Sequence, residues 1–400
     1  MTHDGTRAAG TLCPVERAPV PVMLRLRAPA PPGEAAADAP AAVASPSSTV
    51  AVQRGLAVYV ATRVALLLTA VAIASVDHLR LNIVLPSWDA KHYLYIARYG
   101  YPRTSLLSLA KPDAFFPLFP VSVRILHTLT GLPWLVLGVA VCMLGGAALV
   151  VLGAKLAESV WGPRRAGQAA VVLAAFPGSF VAGMPYADPI GLAFGAGALL
   201  LLERRRYLLS GLAAMAATLT FSLALSALLA VAAWALVARR EPRALLTGAF
   251  AAAGAGVYLL YLWIHVGTPF IWSRLEAVKW HSHFGLSIHR GTMWALQSNW
   301  HAGSVVATCL VFAVVSLAVL LRSGAPSTWM VFSSVIFLVS LFDTGTWLTP
   351  RLLYAMFPAV LAVGSRLPER WTTPVVVLSA LAMCLCLCIY APQNWVFFNP

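Results

Sequence analysis

Long apolar runs alternate with short polar gaps through most of the chain. Apolar stretches lie near 54–76, 134–154, 168–184, 189–203, 207–238, 244–266, 304–322, 327–344, 351–366 and 373–391. Several reach the ~20 apolar residues that carry a helix across a bilayer core. None shows the ~10-residue alternation of a barrel strand. The pattern predicts an all-α, polytopic membrane protein. The 207–238 stretch is too long for one span and predicts two short helices meeting near Thr220. AFFPLFPVSVRIL, from Ala114, holds two prolines and Arg124 and reads as an interfacial or half-buried helix. Residues 1–50 are Ala/Pro-rich and are expected to form a disordered cytoplasmic tail, without the h-region of a secretory signal. Residues 51–400 then form the transmembrane domain, its first span an uncleaved anchor.

Composition strengthens this reading. The chain is 60% hydrophobic and 10% charged, with mean hydropathy +0.80, whereas soluble domains are about 25% charged. The net charge of +14 does not point to nucleic acid, because the basic residues fall in short runs between apolar segments. Those runs give an orientation. With the N-terminus inside, Lys155, Arg164, Arg165, Arg204 to Arg206, Arg239, Arg240, Arg243, Arg322, Arg366 and Arg370 all lie inside. Two long segments, about 77–133 and 267–303, then lie outside a plasma membrane. Cys384, Cys386 and Cys388 alternate and do not share a helix face. Neither a disulfide framework nor a cysteine metal site is implied.

The outer segments collect ionisable and aromatic groups: seven of the nine histidines, Asp89 and Asp113, and Trp272, Trp280, Trp294 and Trp300. His281 and His283 lack a third ligand at a recognisable spacing, so no metal and no cofactor is expected. The densest part is WDAKHYLYIARYGYP, Trp88 to Pro102. As a helix it sets Asp89, His92, Tyr93 and Ile96 on one face and Lys91, Tyr95 and Arg98 on another. A carboxylate beside an imidazole can take a proton from a hydroxyl. Arg and Lys can hold a phosphate. Those parts suit transfer of a sugar from a lipid phosphate, where the leaving group is already an anion and only the acceptor needs a base. An interfacial amphipathic helix with snorkelling cations is the plainer alternative.

Three other positions attract attention. Arg63 lies within the first span, where a charge costs about 2.5–3.5 kcal/mol unless it is paired or faces a cavity. Asp188, in PYADP, is a candidate N-cap with proline at N1 or a candidate site residue. Asp113 has the same two readings. Arg351 opens a helix at the outer face, as an anchor or as a phosphate contact.

WDAKHYLYIARYGYP followed by DAFFPLFPVSVRIL resembles the opening of the PIG-V type mannosyltransferases, relatives of GPI mannosyltransferase II in the GT-C superfamily. Trp88, Asp89, Tyr93, Ile96, Ala97, Gly100, Tyr101, Ala114 to Leu118 and Pro120 carry the likeness. FPGSFVAGMPYADPIGLAFGAGALLLLERRRYLLSGLAAMAATLT and TPRLLYAMFPAVLAVG are similar to the family's middle and end. Phe221 and Ser222 stand where the family has an Arg-Pro element.

The resemblance implies a GT-C type bundle of about 10–12 transmembrane helices, with a large first extracytoplasmic loop carrying interfacial helices. It implies inverting transfer of mannose from a polyprenyl-phosphate donor to an acceptor at the outer face. Asp89, aided by His92, would act as base. Trp88, Lys91, Tyr93, Arg98, Asp113, Arg124, Asp188 and Arg351 would bind substrate. The acceptor, a glycolipid, glycan or protein, is not specified. A lipid-linked substrate flippase and a catalytically silent subunit are the alternatives.

Overall fold

The computed structural model describes residues 48–102, 111–279, 300–342 and 348–390. Residues 1–47 of the expected N-terminal tail lie outside them, as do His281, His283, Trp280 and Trp294, while residues 48–50, expected in that tail, are helical. The described residues form helices and turns, with no strand. In chain order the helices are α1 (Ser48–Val76), α2 (Leu81–Val84), α3 (Asp89–Tyr99), α4 (Leu118–Thr130), α5 (Trp134–Ala175), α6 (Asp188–Glu203), α7 (Tyr207–Thr218) and α8 (Leu223–Arg239). They continue as α9 (Leu245–Val266), α10 (Ile271–Lys279), α11 (Trp300–Leu321), α12 (Ser327–Phe342), α13 (Pro350–Ala355), α14 (Phe357–Arg366) and α15 (Glu369–Tyr390). Short 3-10 turns cover Lys111–Ala114, Pro177–Gly183 and Pro242–Ala244.

Among the described residues five helices are long and apolar enough to cross a membrane, or six when a bent pair counts as one span. α4, α7, α8 and α12 are shorter apolar helices. The all-α polytopic class is therefore observed. The predicted break near Thr220 is present, with α7 ending at Thr218 and α8 starting at Leu223. At 12 residues α7 rises only about 18 Å, too little to cross. Its end is met by α4, whose Leu118 N–H donates to the Leu219 carbonyl at 3.0 Å.

Two expected spans differ from the structure. Residues 134–175 run as one helical stretch, interrupted at Gly162, whose φ of 78° takes it out of the helix just before Pro163. Proline is suited to start the next helical piece because its missing N–H would be unpaired there anyway. The expected span at 168–184 ends early, at Ala175. Pro177 disfavours helical geometry at the preceding residue, and Phe176 is extended, at φ −53° and ψ 134°. The chain then enters the 3-10 turn Pro177–Gly183, set at 111° to α6. Residues 178–189 are all buried. Irregular backbone at such depth is tolerated only where protein surrounds it.

The bundle has two chemically distinct ends. At one end Arg164 pairs with Glu369, Arg239 with Glu203, and Arg366 donates to the Arg322 carbonyl at 3.0 Å. At the other end lie Asp89, Asp188 and Arg351. Asp188 and Arg204 bracket the 16-residue α6, about 24 Å of helix.

Candidate functional site

The site forms where three distant pieces of chain meet. α3 starts at Asp89, α6 at Asp188 and α13 at Pro350, with Arg351 next. Arg351 donates from Nη1 to Asp89 Oδ2 at 2.7 Å, from Nε to Asp188 Oδ1 at 2.7 Å and from Nη2 to Asp188 Oδ2 at 3.1 Å. One guanidinium thus forks onto one carboxylate and reaches a second. The Asp188 side chain is 3% exposed, against 25% for Asp89 and 22% for Arg351. Asp188 is the fixed member and Asp89 the accessible one.

Burial alone would lower the pKa of Arg351, but the Asp188 and Asp89 carboxylates outweigh it and hold the group well above its ordinary value. The bridge therefore carries one positive charge between two acids. Tyr186 supports it from below, with Arg351 Cζ 4.7 Å from its ring centroid. The Tyr186 hydroxyl donates to the Ser87 carbonyl at 3.2 Å, which ties α6's approach to the start of α3. Trp88, between Ser87 and Asp89, has φ 55° and ψ −120°. That backbone is rare for a bulky residue and often marks a site where geometry is imposed. Gly178 completes the frame. A Cβ there would overlap the Pro350 carbonyl, so only glycine lets the 3-10 turn pack onto the start of α13.

The helix predicted over Trp88–Pro102 is present as α3, and its faces separate as the spacing implied. Ala90, Tyr93, Ile96 and Ala97 are buried, while Lys91, Tyr95 and Arg98 are exposed. His92 stacks on Phe115, with centroids 5.0 Å apart. Tyr93 packs edge-on against Phe115 and Phe119. Burial, then the Asp188 and Asp89 carboxylates, push the Tyr93 phenol well above its ordinary pKa. Lys91 and Arg98 make no ion pair among the described residues, and Arg98 Cζ lies 5.1 Å from the Tyr99 ring.

Three of the sequence-derived candidates sit elsewhere, and Arg98 is one of them, in the last turn of α3 at the end opposite Asp89. Arg124 donates to the Ala97 carbonyl at 2.7 Å and the Ile96 carbonyl at 3.3 Å, closing the C-terminal end of α3 away from Asp89. Asp113 is fully buried within the Lys111–Ala114 turn, and its carbonyl accepts from Tyr258 Oη at 2.8 Å. The N-cap reading of Asp188 is replaced. Ala187 holds the cap position without a side-chain bond, and both Asp188 oxygens face Arg351. Phe221 is buried, and a Cβ on Gly191, three residues after Asp188, would come within 2.7 Å of the Phe221 Cβ. Phe221 thus lies one helical turn from Asp188 and presents an apolar side chain there. Tyr186, Ser87 and Gly178 do not stand out in the sequence. The proline spacing at 177, 185 and 189 is the signal that an irregular segment lies there.

No family model matches the chain, and no curated protein matches it. Among solved structures, the chain is similar to ArnT from Cupriavidus metallidurans, solved bound to undecaprenyl phosphate, at TM-score 0.50 and 14% identity over 81% of this chain. It spans 64% of that protein's length. An oligosaccharyltransferase from Archaeoglobus fulgidus, in the apo form, gives TM-score 0.45 and 13% identity, covering 85% of this chain and 56% of that one. The likeness is one of helical arrangement: over most of its length the chain shares the fold of that membrane protein.

Proposed function

We propose that the chain is a membrane glycosyltransferase that moves a sugar, mannose by family resemblance, from a polyprenyl-phosphate donor to an acceptor hydroxyl outside the cell membrane. The observation that carries this reading is the Asp89–Arg351–Asp188 bridge, set at the bundle end opposite the arginine-rich turns. Loops rich in Arg stay in the cytoplasm, so the bridge end faces outward. The fold shared with ArnT, a protein that binds undecaprenyl phosphate, supports a lipid-phosphate donor.

Burial and charge divide the labour. Asp188 is sealed and bidentate, so it anchors Arg351. Asp89 is held by a single Nη1 contact and is a quarter exposed. A donor phosphate competes for that Nη1 and releases Asp89. The acceptor oxygen attacks the anomeric carbon from the face opposite the phosphate. The bond from that carbon to the phosphate oxygen breaks, and polyprenyl phosphate leaves as the anion. The acceptor proton passes to Asp89. Because the leaving group needs no proton, one base suffices, unlike the carboxylate pair of a glycosidase. His92, held flat against Phe115, fixes that side of the pocket.

The test is product analysis. Purified protein in vesicles is given a polyprenyl-phosphate mannose with labelled sugar and a membrane-lipid extract as acceptor source. Transfer predicts label on a new product, with polyprenyl phosphate released in equal amount. A flippase would leave the donor intact on the other leaflet. Release of no polyprenyl phosphate under any acceptor condition would exclude the transferase reading.

A further inference from the structure

Arg63 lies near the middle of the 28-residue span Thr49–Val76 and is 3% exposed. Its Nη1 donates to the Ser179 carbonyl, and its Nη2 to Ser179 Oγ at 2.8 Å and Met383 Sδ at 2.7 Å. Its Cζ sits 4.9 Å from the Tyr59 ring centroid. Among the described residues no carboxylate partners it. A guanidinium at that depth is costly, so its hydrogen bonds need to be fixed ones. Ser179 belongs to the buried turn Pro177–Gly183, where a short 3-10 run leaves backbone carbonyls without regular helical partners. Arg63, on the neighbouring α1, donates to one of them.

We infer that Arg63 is a positioning residue: by gripping Ser179 it fixes the irregular segment whose two ends set the bridge. One side of that segment is Gly178, packed on the Pro350 carbonyl and so on the start of the helix that presents Arg351. The other side runs through Tyr186, beneath Arg351, to Asp188. The fork geometry matters more than the charge. Arg reaches the carbonyl and hydroxyl of one residue together, whereas Lys offers a point charge on a flexible stem. Aromatic support from Tyr59 and the thioether of Met383 keep the fork aimed. The inference rests on reading the bridge as the transfer site, but its first consequence is structural and can be measured without turnover.

The test uses the full chain in lipid nanodiscs: wild type, Arg63→Lys and Ser179→Ala. Amide hydrogen exchange is followed over residues 177–188 and over α9 as a control. Transfer from polyprenyl-phosphate mannose is followed for kcat and KM. Arg63→Lys is expected to speed exchange across 177–188 by about tenfold, leave α9 unchanged, and lower kcat about tenfold with KM within about twofold. Ser179→Ala is expected to move both readouts the same way by a smaller factor, and it carries the test if Arg63→Lys does not fold. Wild-type exchange over 177–188 in both variants would overturn the inference. So would faster exchange with undiminished kcat. Faster exchange in a protein whose wild type transfers nothing would sustain the grip on the segment and count against the transferase reading instead.

Discussion

Arg351 and Asp188 are 163 residues apart in the chain and share two hydrogen bonds, Nε to Oδ1 at 2.7 Å and Nη2 to Oδ2 at 3.1 Å. The fork matches the carboxylate plane, a geometry lysine does not reproduce. Removing one partner of a buried pair costs about 3–5 kcal/mol because the other charge stays buried. Because Arg351 keeps its bond to Asp89, Asp188→Asn should lower the unfolding free energy by about 2 kcal/mol, less than a fully uncompensated charge would cost, and Arg351→Lys should be comparably harmful. A thermal melt of the detergent-solubilised variants checks both. Unchanged melting of Asp188→Asn would mean that the bridge is not formed.

Gly178→Ala tests the frame independently of charge. The added Cβ overlaps the Pro350 carbonyl, so the start of α13 must shift and carry Arg351 with it. Transfer should fall by about two orders of magnitude, as a 1 Å misplacement near reacting groups does. Gly256→Ala is the control. It has no atom within 4 Å of the new Cβ and lies inside α9. Alanine there should leave activity intact and stabilise slightly, since Gly is about 1 kcal/mol worse than Ala in a helix.

How far the sequence reaches can be traced residue by residue. α3 is legible because eleven residues with one strong periodicity need no distant partner to fix their faces. The break between α7 and α8 is legible because no single helix can use so long an apolar run. The end of α5 is not, because a hydropathy window averages over Pro177 and cannot see that Phe176 must turn. Asp188 looks as much like a cap as a site residue, since local sequence offers both and the deciding partner is Arg351. Arg63 announces its cost, but its partner is a backbone carbonyl, which no side-chain pattern encodes.

Lys91 tests where the donor phosphate is met. It is exposed on α3, two residues from Asp89, and makes no ion pair among the described residues. Lys91→Gln should raise the KM for polyprenyl-phosphate donor several-fold, about a factor of five, with kcat nearly unchanged, because it removes binding shared by ground and transition states. The effect should shrink as salt is raised.

The Arg164–Glu369 pair at the opposite end gives the converse expectation. Its geometry is good, with 2.7 and 2.8 Å contacts, but the side chains are 69% and 57% exposed. Exposed pairs contribute little and are screened. Glu369→Gln should melt with the wild type at moderate salt, and a clear drop in melting temperature would show that this end is more tightly closed than its exposure implies.

The most direct measurement is sugar transfer by Asp89→Asn in protein shown by its melt to be folded. The amide keeps the shape and a hydrogen bond from Arg351 but cannot accept the acceptor's proton. The account predicts a loss of at least about 100-fold in kcat, the range for a general base, with donor still bound. Transfer within about threefold of wild type would contradict it, because no base lost at that position would have such a small effect.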